Sequence, residues 1–269
     1  VGVAILKDLG SNDAIMKPAV CEQEQIAWAG KDRRFTAHAP YSTHPELIRS
    51  LKERARRLNH PFPLHVAEPA SEAQMLSLGN GELFSFLDRR RFLEHPYLPP
   101  AAIDNPGSVR YLHTLGILDP KTVCVHCIHV SPEETQILAA TGSRVCLCPG
   151  SNRYRRVGTA PAGRFLAHGI LPSLGTDSAA SNPKLSLWRE MRLLQEDHPG
   201  IDPAKVFAMA TLGGALALGL DEQYGSLAPG RTARLLAIPL RDRVSSAEQL
   251  YNLLVRNNRH LQPTWINEQ

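Results

Sequence analysis

Thr122-Val-Cys-Val-His-Cys127 is followed by Ser131-Pro-Glu-Glu134, then by Gly142, and then by Arg144-Val-Cys-Leu-Cys148. The two outer runs are short, apolar and rich in Val and Leu, as buried strands are. Between them Ser131 is placed as an N-cap with Glu134 three residues on, which is a capping box, and Pro132 takes the first helical position. Gly142 stands where a helix stops on a left-handed residue. Strand, helix, strand over so short a stretch is a βαβ unit, and such a crossover joins parallel strands.

The same alternation extends in both directions. On the N-terminal side, Val3 to Leu6 and Phe35 to His38 read as strands. Thr43-His-Pro-Glu46 reads as a second capping box with Thr43 as N-cap. The helix it opens puts Leu47, Ile48, Leu51, Ala55 and Leu58 on one face and leaves Arg49, Lys52, Glu53, Arg56 and Arg57 mostly on the wet side. Pro63 to Ala67 is a strand, and helices follow over Ser71 to Leu93 and Ser108 to Leu115. On the C-terminal side come a helix from Ala162 to His168 stopped by Gly169 and a strand from Ile170 to Leu174. Helices from Leu185 to Glu196 and from Asp202 or Pro203 to Gly219 complete the alternation. Beyond Gly219 the pattern changes to a turn and strand ending near Ile238, a helix from Ser246 to Arg256 and a last strand near Trp265. The fold class is therefore α/β, with functional residues expected at the C-terminal ends of strands.

Composition narrows the function classes. The 269 residues are 43% apolar and 21% charged, the balance of an ordinary globular chain. The longest apolar-rich run, Ala208 to Leu220, is broken by Thr211, Gly213, Gly214 and Gly219, so no membrane span is expected. A net charge of +4, from 30 basic and 26 acidic residues, is too mild and dispersed to imply nucleic acid. Five cysteines and no signal peptide point to a reducing, cytoplasmic setting. The chain opens at Val1 without an initiator Met and runs straight into an apolar segment, as a fragment beginning inside a domain would.

The strand ends carry the chemistry. The strand from Phe35 runs into His38, that from Pro63 into His65 with Glu68 three residues on, and that from Thr122 into His126. The strand from Ile170 runs into Gly175-Thr-Asp177. A single imidazole at a strand end is most simply a half-buried core residue. Three imidazoles and a carboxylate at four successive strand ends suit a divalent ion, and a nearby carboxylate such as Glu68 suits proton transfer.

His65-Val-Ala-Glu68, Val125-His126-Cys-Ile-His129, Cys148-Pro-Gly-Ser-Asn152 and Leu174-Gly-Thr-Asp177-Ser-Ala-Ala-Ser-Asn182 together resemble the amidohydrolase superfamily. The branch they resemble is the one of deaminases and chlorohydrolases. Thr36-Ala-His38-Ala-Pro-Tyr41-Ser, Ala210-Thr211-Leu-Gly213-Gly-Ala215 and Gly225-Ser-Leu-Ala-Pro-Gly230-Arg fit it too, in order along the chain. The resemblance implies a (β/α)8 barrel of TIM type. Here the barrel would lack its first βα unit and occupy residues 1–223, with the remnant of a small β-domain over 224–269. It implies one Zn²⁺ or Fe²⁺ per site, lowering the pKa of a bound water from about 15.7 to near 7.

Carried over residue by residue, the resemblance makes His65 and Asp177 metal ligands, with His126 beside them to ligate or to orient water or substrate. Glu68 resembles the residue that moves a proton from the attacking water to the leaving amine, and Asp177 one that accepts the water's proton. His38 resembles a substrate-contacting His, and Ser151 and Asn152 lie on a loop facing the substrate. The implied reaction is hydrolytic deamination of an aminated purine nucleoside of the S-adenosylhomocysteine, methylthioadenosine or aminofutalosine class. Dechlorination or deamination of a triazine, guanine or cytosine uses the same motifs and stays open. The superfamily's His-X-His ligand pair is absent from the eleven histidines of this sequence, which leaves the isolated chain's activity open. A degenerate barrel acting as a binding protein is the reading from another class.

Three further features have simpler readings. Cys124-Val-His-Cys127 with Cys146-Leu-Cys148 imitates a zinc ribbon, but the flanking valines and leucines mark core strands. Arg89-Arg-Arg91, with Asp88 and Glu94 beside it, reads as a solvated helix face. Tyr154-Arg-Arg156 reads as a solvated loop, with an acidic substrate as its other use. The expected partner is a small-molecule substrate. An incomplete barrel wall would also expose apolar surface and favour self-association.

Overall fold

The strand pair expected from the sequence is the centre of the first of two compact units, Val1–Ser143 and Arg144–Gln269, in a computed structural model that describes residues 36–90, 107–240 and 243–266. In the first unit β1 (Phe62–Val66) and β2 (Thr122–His126) are parallel, with Phe62 opposite Thr122 and Val66 opposite His126. Phe62, Leu64 and Val66 of β1 are buried, and so are Val123, Cys124 and His126 of β2. β1 buries one face fully and the other partly, and β2 buries residues on both faces, as strands flanked by helices do.

The helices of this unit are α1 (Pro45–Arg57), α2 (Ala70–Leu78), α3 (Glu82–Arg89), α4 (Ser108–Thr114) and α5 (Pro132–Ala140). α5 has the expected cap: Ser131 accepts from the Glu134 amide, Glu134 accepts in return from the Ser131 amide, and Gly142 follows with φ of 65°. Glu134 also accepts from the Val109 and Arg110 amides at 2.9 and 3.1 Å, so the same carboxylate caps α4. α1 departs from its reading. Its N-cap is His44, whose Nδ1 accepts from the Glu46 amide, because Pro45 takes the first helical position and moves the start one residue along.

Lys52 of α1 is buried rather than wet, and Leu58 is 51% exposed rather than on the core face. The Lys52 ammonium donates to Asp119 Oδ1 at 2.7 Å and to Thr122 Oγ1 at 2.8 Å. Burial lowers the Lys52 pKa and the Asp119 partner opposes that shift. Periodicity alone assigned a cation to the surface, whereas a carboxylate 67 residues away holds it in the core.

Residues 36–39 form no strand ladder, although the His65 amide donates to His38 O at 2.9 Å and Thr36 Oγ1 donates to Pro63 O. The strands assigned to Val3–Leu6 and to Phe35, and the helical stretch past Arg90, fall outside the described residues.

The second unit holds β3 (Arg144–Leu147) and β4 (Ser173–Leu174), parallel, with Cys146 opposite Ser173. Its helices begin with α6 (Pro149–Arg155), α7 (Ala162–Ala167), α8 (Leu187–Asp197) and α9 (Pro203–Ala208). α6 stands where the sequence reads as a loop: Pro149 sits at the first helical position, and Tyr154 and Arg155 lie in the helix's last turn. α9 runs through a π-helical turn, Met209–Gly213, into α10 (Gly214–Leu218). Gly213 is where this helix touches β4's approach, and a Cβ there would stand 2.4 Å from Pro172 O. β5 (Leu235–Ala237) pairs antiparallel with β6 (Thr264–Ile266) across α11 (Ala247–Val255), as the changed C-terminal pattern predicts.

Cys124 and Cys127 lie in the first unit, Cys146 and Cys148 in the second, and all four are free thiols. Cys127 Sγ donates to Cys124 O, and burial pushes its pKa up, which keeps it a core thiol rather than a metal thiolate.

Candidate functional site

In the first unit three imidazoles stand in a row. The His38 and His65 ring centroids are 5.1 Å apart and edge-on, and those of His65 and His126 are 5.1 Å apart with a tilt of 43°. His38 Nδ1 is 2.6 Å from Ser42 Oγ, which fixes that ring from behind. Parallel pairing explains the His65–His126 neighbours, and the His65 amide's bond to His38 O brings in the third ring. Adjacent parallel strands bring equivalent ends together, and β1 and β2 end in register at Val66 and His126.

Both strands end abruptly. Ala67, His126 and Cys127 have φ of 51°, 73° and 49°, a left-handed conformation that non-glycine residues take at a cost. The turned ends are stitched together by amides: Cys127 donates to Val66 O, and Ile128 and His129 donate to Ala67 O, each at 3.0 Å. Glu68 follows from this turn. Its side chain is buried, with Oε1 3.7 Å from His126 Nε2. The paired strand ends thus bring His65, Glu68 and His126 together, and His38, which lies on no strand, joins them where its carbonyl accepts from the His65 amide.

Glu72 is a participant that the sequence reading passed over. It is fully buried, accepts from the Ala67 amide at 2.9 Å and from the Glu68 amide at 3.2 Å, and so holds the turn that presents Glu68. A signal was present: Glu72 shares a helical stripe with the buried Met75 and Leu76 of α2, where a carboxylate needs a reason to be. Burial raises its pKa from 4.5 to about 7, against the hydrogen bonds from Ala67, Ser108 and Glu68 that favour the charged form. The folded chain therefore holds this proton more tightly than the unfolded chain. Stability is full below about 4.5 and falls as the pH rises through about 7. The window is worth roughly 3 kcal/mol at most. Replacing Glu72 by glutamine is expected to flatten the stability profile over that range, read by urea unfolding at several pH values. An unchanged slope would assign the dependence to another group.

In the second unit Asp177 lies three residues beyond β4 with φ of 57°, a conformation Asp tolerates better than most residues. Ser151 Oγ donates to its Oδ2 at 2.7 Å and Ser181 Oγ to the same atom at 2.5 Å. Ser151 and Asn152 are buried on α6, not carried on a loop. Asn182 and Glu190 were also passed over as functional supports. Asn182 Nδ2 donates to Thr176 O and to Glu190 Oε1, each at 2.9 Å. Glu190, like Glu72, sits on an apolar helical stripe, here with Leu193 and Leu194 of α8.

The donor chemistry fits a divalent ion of the zinc type. Adjacent imidazoles in the first unit and a carboxylate held by two hydroxyls in the second are the ligand types of catalytic zinc sites. Within the first unit the buried Glu68 carboxylate beside His126 is of the type that moves protons at such ions.

Known proteins share this sequence. Over 211 residues the chain is 33% identical to a 5'-deoxyadenosine deaminase of Methanothermobacter thermautotrophicus, covering 76% of this chain and 43% of that protein. Over 224 residues it is 34% identical to a 5-methylthioadenosine/S-adenosylhomocysteine deaminase of Pelotomaculum thermopropionicum, covering 79% and 46%. The chain therefore spans about half the length of the curated relatives it matches. Among solved structures, an adenosine deaminase from Xanthomonas campestris with bound zinc superposes with a TM-score of 0.64 at 25% identity, over 88% of this chain and 51% of that one. Residues 22–262 match one family from end to end, and with relatives a third identical over three-quarters of its length the chain belongs to the amidohydrolase family.

Proposed function

We propose that this chain carries the catalytic residues of a metal-dependent deaminase acting on adenosine-like nucleosides. The observation that carries the reading is the buried Glu68 carboxylate 3.7 Å from His126, beside the paired His65 and His126 rings. The names of the relatives favour the 5'-deoxyadenosine, methylthioadenosine and S-adenosylhomocysteine class. Residues 1–223 are assigned to a partial barrel of (β/α)8 type and 224–269 to part of a small β-domain, supported by the parallel pairs and the C-terminal antiparallel pair.

His65, His126 and Asp177 are assigned as the donors that would hold the ion. When bound, zinc or iron supplies a water acidic enough to serve as nucleophile near neutral pH. With the ion bound, Glu68 would take one proton from the attacking water and deliver it to the purine ring nitrogen beside the amine. Burial keeps the Glu68 carboxylate away from bulk water. Asp177, held by Ser151 and Ser181, is assigned to accept the second proton, which passes to the amine so that it leaves as ammonia. His38, fixed by Ser42, is assigned to the substrate.

The test is ammonia release from 5'-methylthioadenosine, S-adenosylhomocysteine and 5'-deoxyadenosine, with guanine, cytosine and a chlorotriazine alongside. Turnover of the nucleosides, lost on chelation and restored by zinc, is expected. Chloride release from the triazine without nucleoside turnover would move the assignment to dechlorination. No turnover of any of them by metal-loaded protein would contradict it.

A further inference from the structure

The second unit buries a carboxylate that the proposed chemistry does not use. Glu190 of α8 is fully buried. Its Oε2 accepts from the Gly150 amide at 2.6 Å, and its Oε1 accepts from Asn182 Nδ2 at 2.9 Å. Asn182 is buried as well. Its Nδ2 also donates to Thr176 O at 2.9 Å, and its Oδ1 accepts from Arg189 Nη1 at 2.9 Å. Arg189 Nη1 lies 3.6 Å from Glu190 Oε1, which offsets part of the cost of burying the charge.

The two residues that Glu190 grips have informative neighbours. Gly150 precedes Ser151, and Asn182 follows Ser181. Those two serines are the ones whose hydroxyls meet on Asp177 Oδ2, at 2.7 and 2.5 Å. Asn182 also ties down Thr176, the residue before Asp177. One carboxylate thus holds the backbone amide beside Ser151 and the side chain of Asn182, which follows Ser181 and itself bonds Thr176 O. The approach is close: a Cβ at 150 would press on the Glu190 carboxylate and on the ends of Arg189 and Asn182, so a side chain there would disturb this grip.

We propose that Glu190 is a positioning residue for Asp177, acting through Ser151 and Ser181. This role rests on the assignment of Asp177 as a metal ligand. Carboxylate chemistry is needed because both groups facing Glu190 are donors. An ionised carboxylate accepts from both, whereas a glutamine amide has one acceptor and turns an N–H toward the other donor. Glu190→Gln keeps the volume and loses one of the two grips. Glu190→Asp keeps the charge and withdraws it from both by one methylene.

The experiment measures zinc affinity by competition with a chromophoric chelator, with folding checked by circular dichroism. It compares wild type, Glu190→Gln, Glu190→Asp, the Ser151→Ala/Ser181→Ala pair, and that pair combined with each Glu190 variant. Both Glu190 variants are expected to bind zinc about tenfold or more weakly, the size of effect seen when a ligand's supporting partner is lost. In the serine-less background they are expected to add nothing further, because the route to Asp177 is already gone. If Glu190→Gln does not fold, Glu190→Asp decides the outcome on the same terms. Unchanged affinity in a folded Glu190 variant would overturn the positioning role alone, and so would a full additional loss in the serine-less background. A wild-type chain that binds no zinc would overturn the assignment of Asp177 itself, and this role with it.

Discussion

Replacing Glu68 by glutamine is expected to lower kcat by about 10²–10⁴-fold while leaving the metal content unchanged, the range a positioned acid–base group contributes. The expectation follows from where Glu68 stands. It leaves β1 at a left-handed turn, its own amide is held by Glu72, and its carboxylate is 3.7 Å from His126 Nε2. It is not assigned as a ligand, so its loss does not empty the site. Glutamine preserves the volume and an acceptor oxygen, so the buried pocket keeps its packing. What glutamine cannot do is carry the proton. The measurement is saturating turnover of a methylthioadenosine-type nucleoside, with zinc determined on the same preparation. A rate near that of wild type would remove Glu68 from the chemistry, and a loss of zinc would make it a ligand instead.

Replacing Asp177 by asparagine is expected to have the opposite signature, with metal lost first and activity lost in consequence. The amide oxygen can still accept from Ser151 and Ser181, which meet on Oδ2 at 2.7 and 2.5 Å in the wild type. The turn after β4 therefore has reason to survive. The negative charge does not survive, and a divalent cation is held largely by that charge. Loss of a supporting partner alone costs roughly 10–100-fold in affinity, and loss of the ligand is expected to exceed that range. Zinc measured after dialysis checks this. Unchanged content in Asp177→Asn would remove Asp177 from the ligand set.

The places of Glu68 and Asp177 could be read from the sequence because each comes just after a short apolar run that ends a strand, and the capping box at Ser131 marks the helix between β2 and β3. What was not legible depended on distant partners. Lys52 looks like a surface cation until Asp119 and Thr122 are brought to it. Pro149-Gly150 looks like a turn, yet proline suits a first helical position, and the glycine answers to Glu190, 40 residues away. Thr43 lost the N-cap to His44 for the same local reason, a proline one residue on. Glu72 and Glu190 interrupt apolar stripes, and the interruption itself was the signal. Helical periodicity treats such residues as errors in the pattern, whereas the backbone amides they hold are invisible in a linear sequence.

The relation between the two buried glutamates is also chemical. Glu72 holds the turn that presents the proposed proton carrier, and Glu190 holds the turn that presents the proposed ligand. Each accepts at least one backbone amide, and each is raised in pKa by burial first. Both place a carboxyl group in the core at a cost that packing alone would not require. That cost is consistent with turns whose positions have to be exact to within a fraction of an ångström for chemistry.

The most direct measurement is the metal content of the wild-type chain, by elemental mass spectrometry after incubation with zinc and removal of loosely bound ions. The proposed site predicts close to one zinc per chain, falling sharply in Asp177→Asn and unchanged in Glu68→Gln. A wild-type chain without zinc, or one whose zinc is indifferent to Asp177, would contradict it.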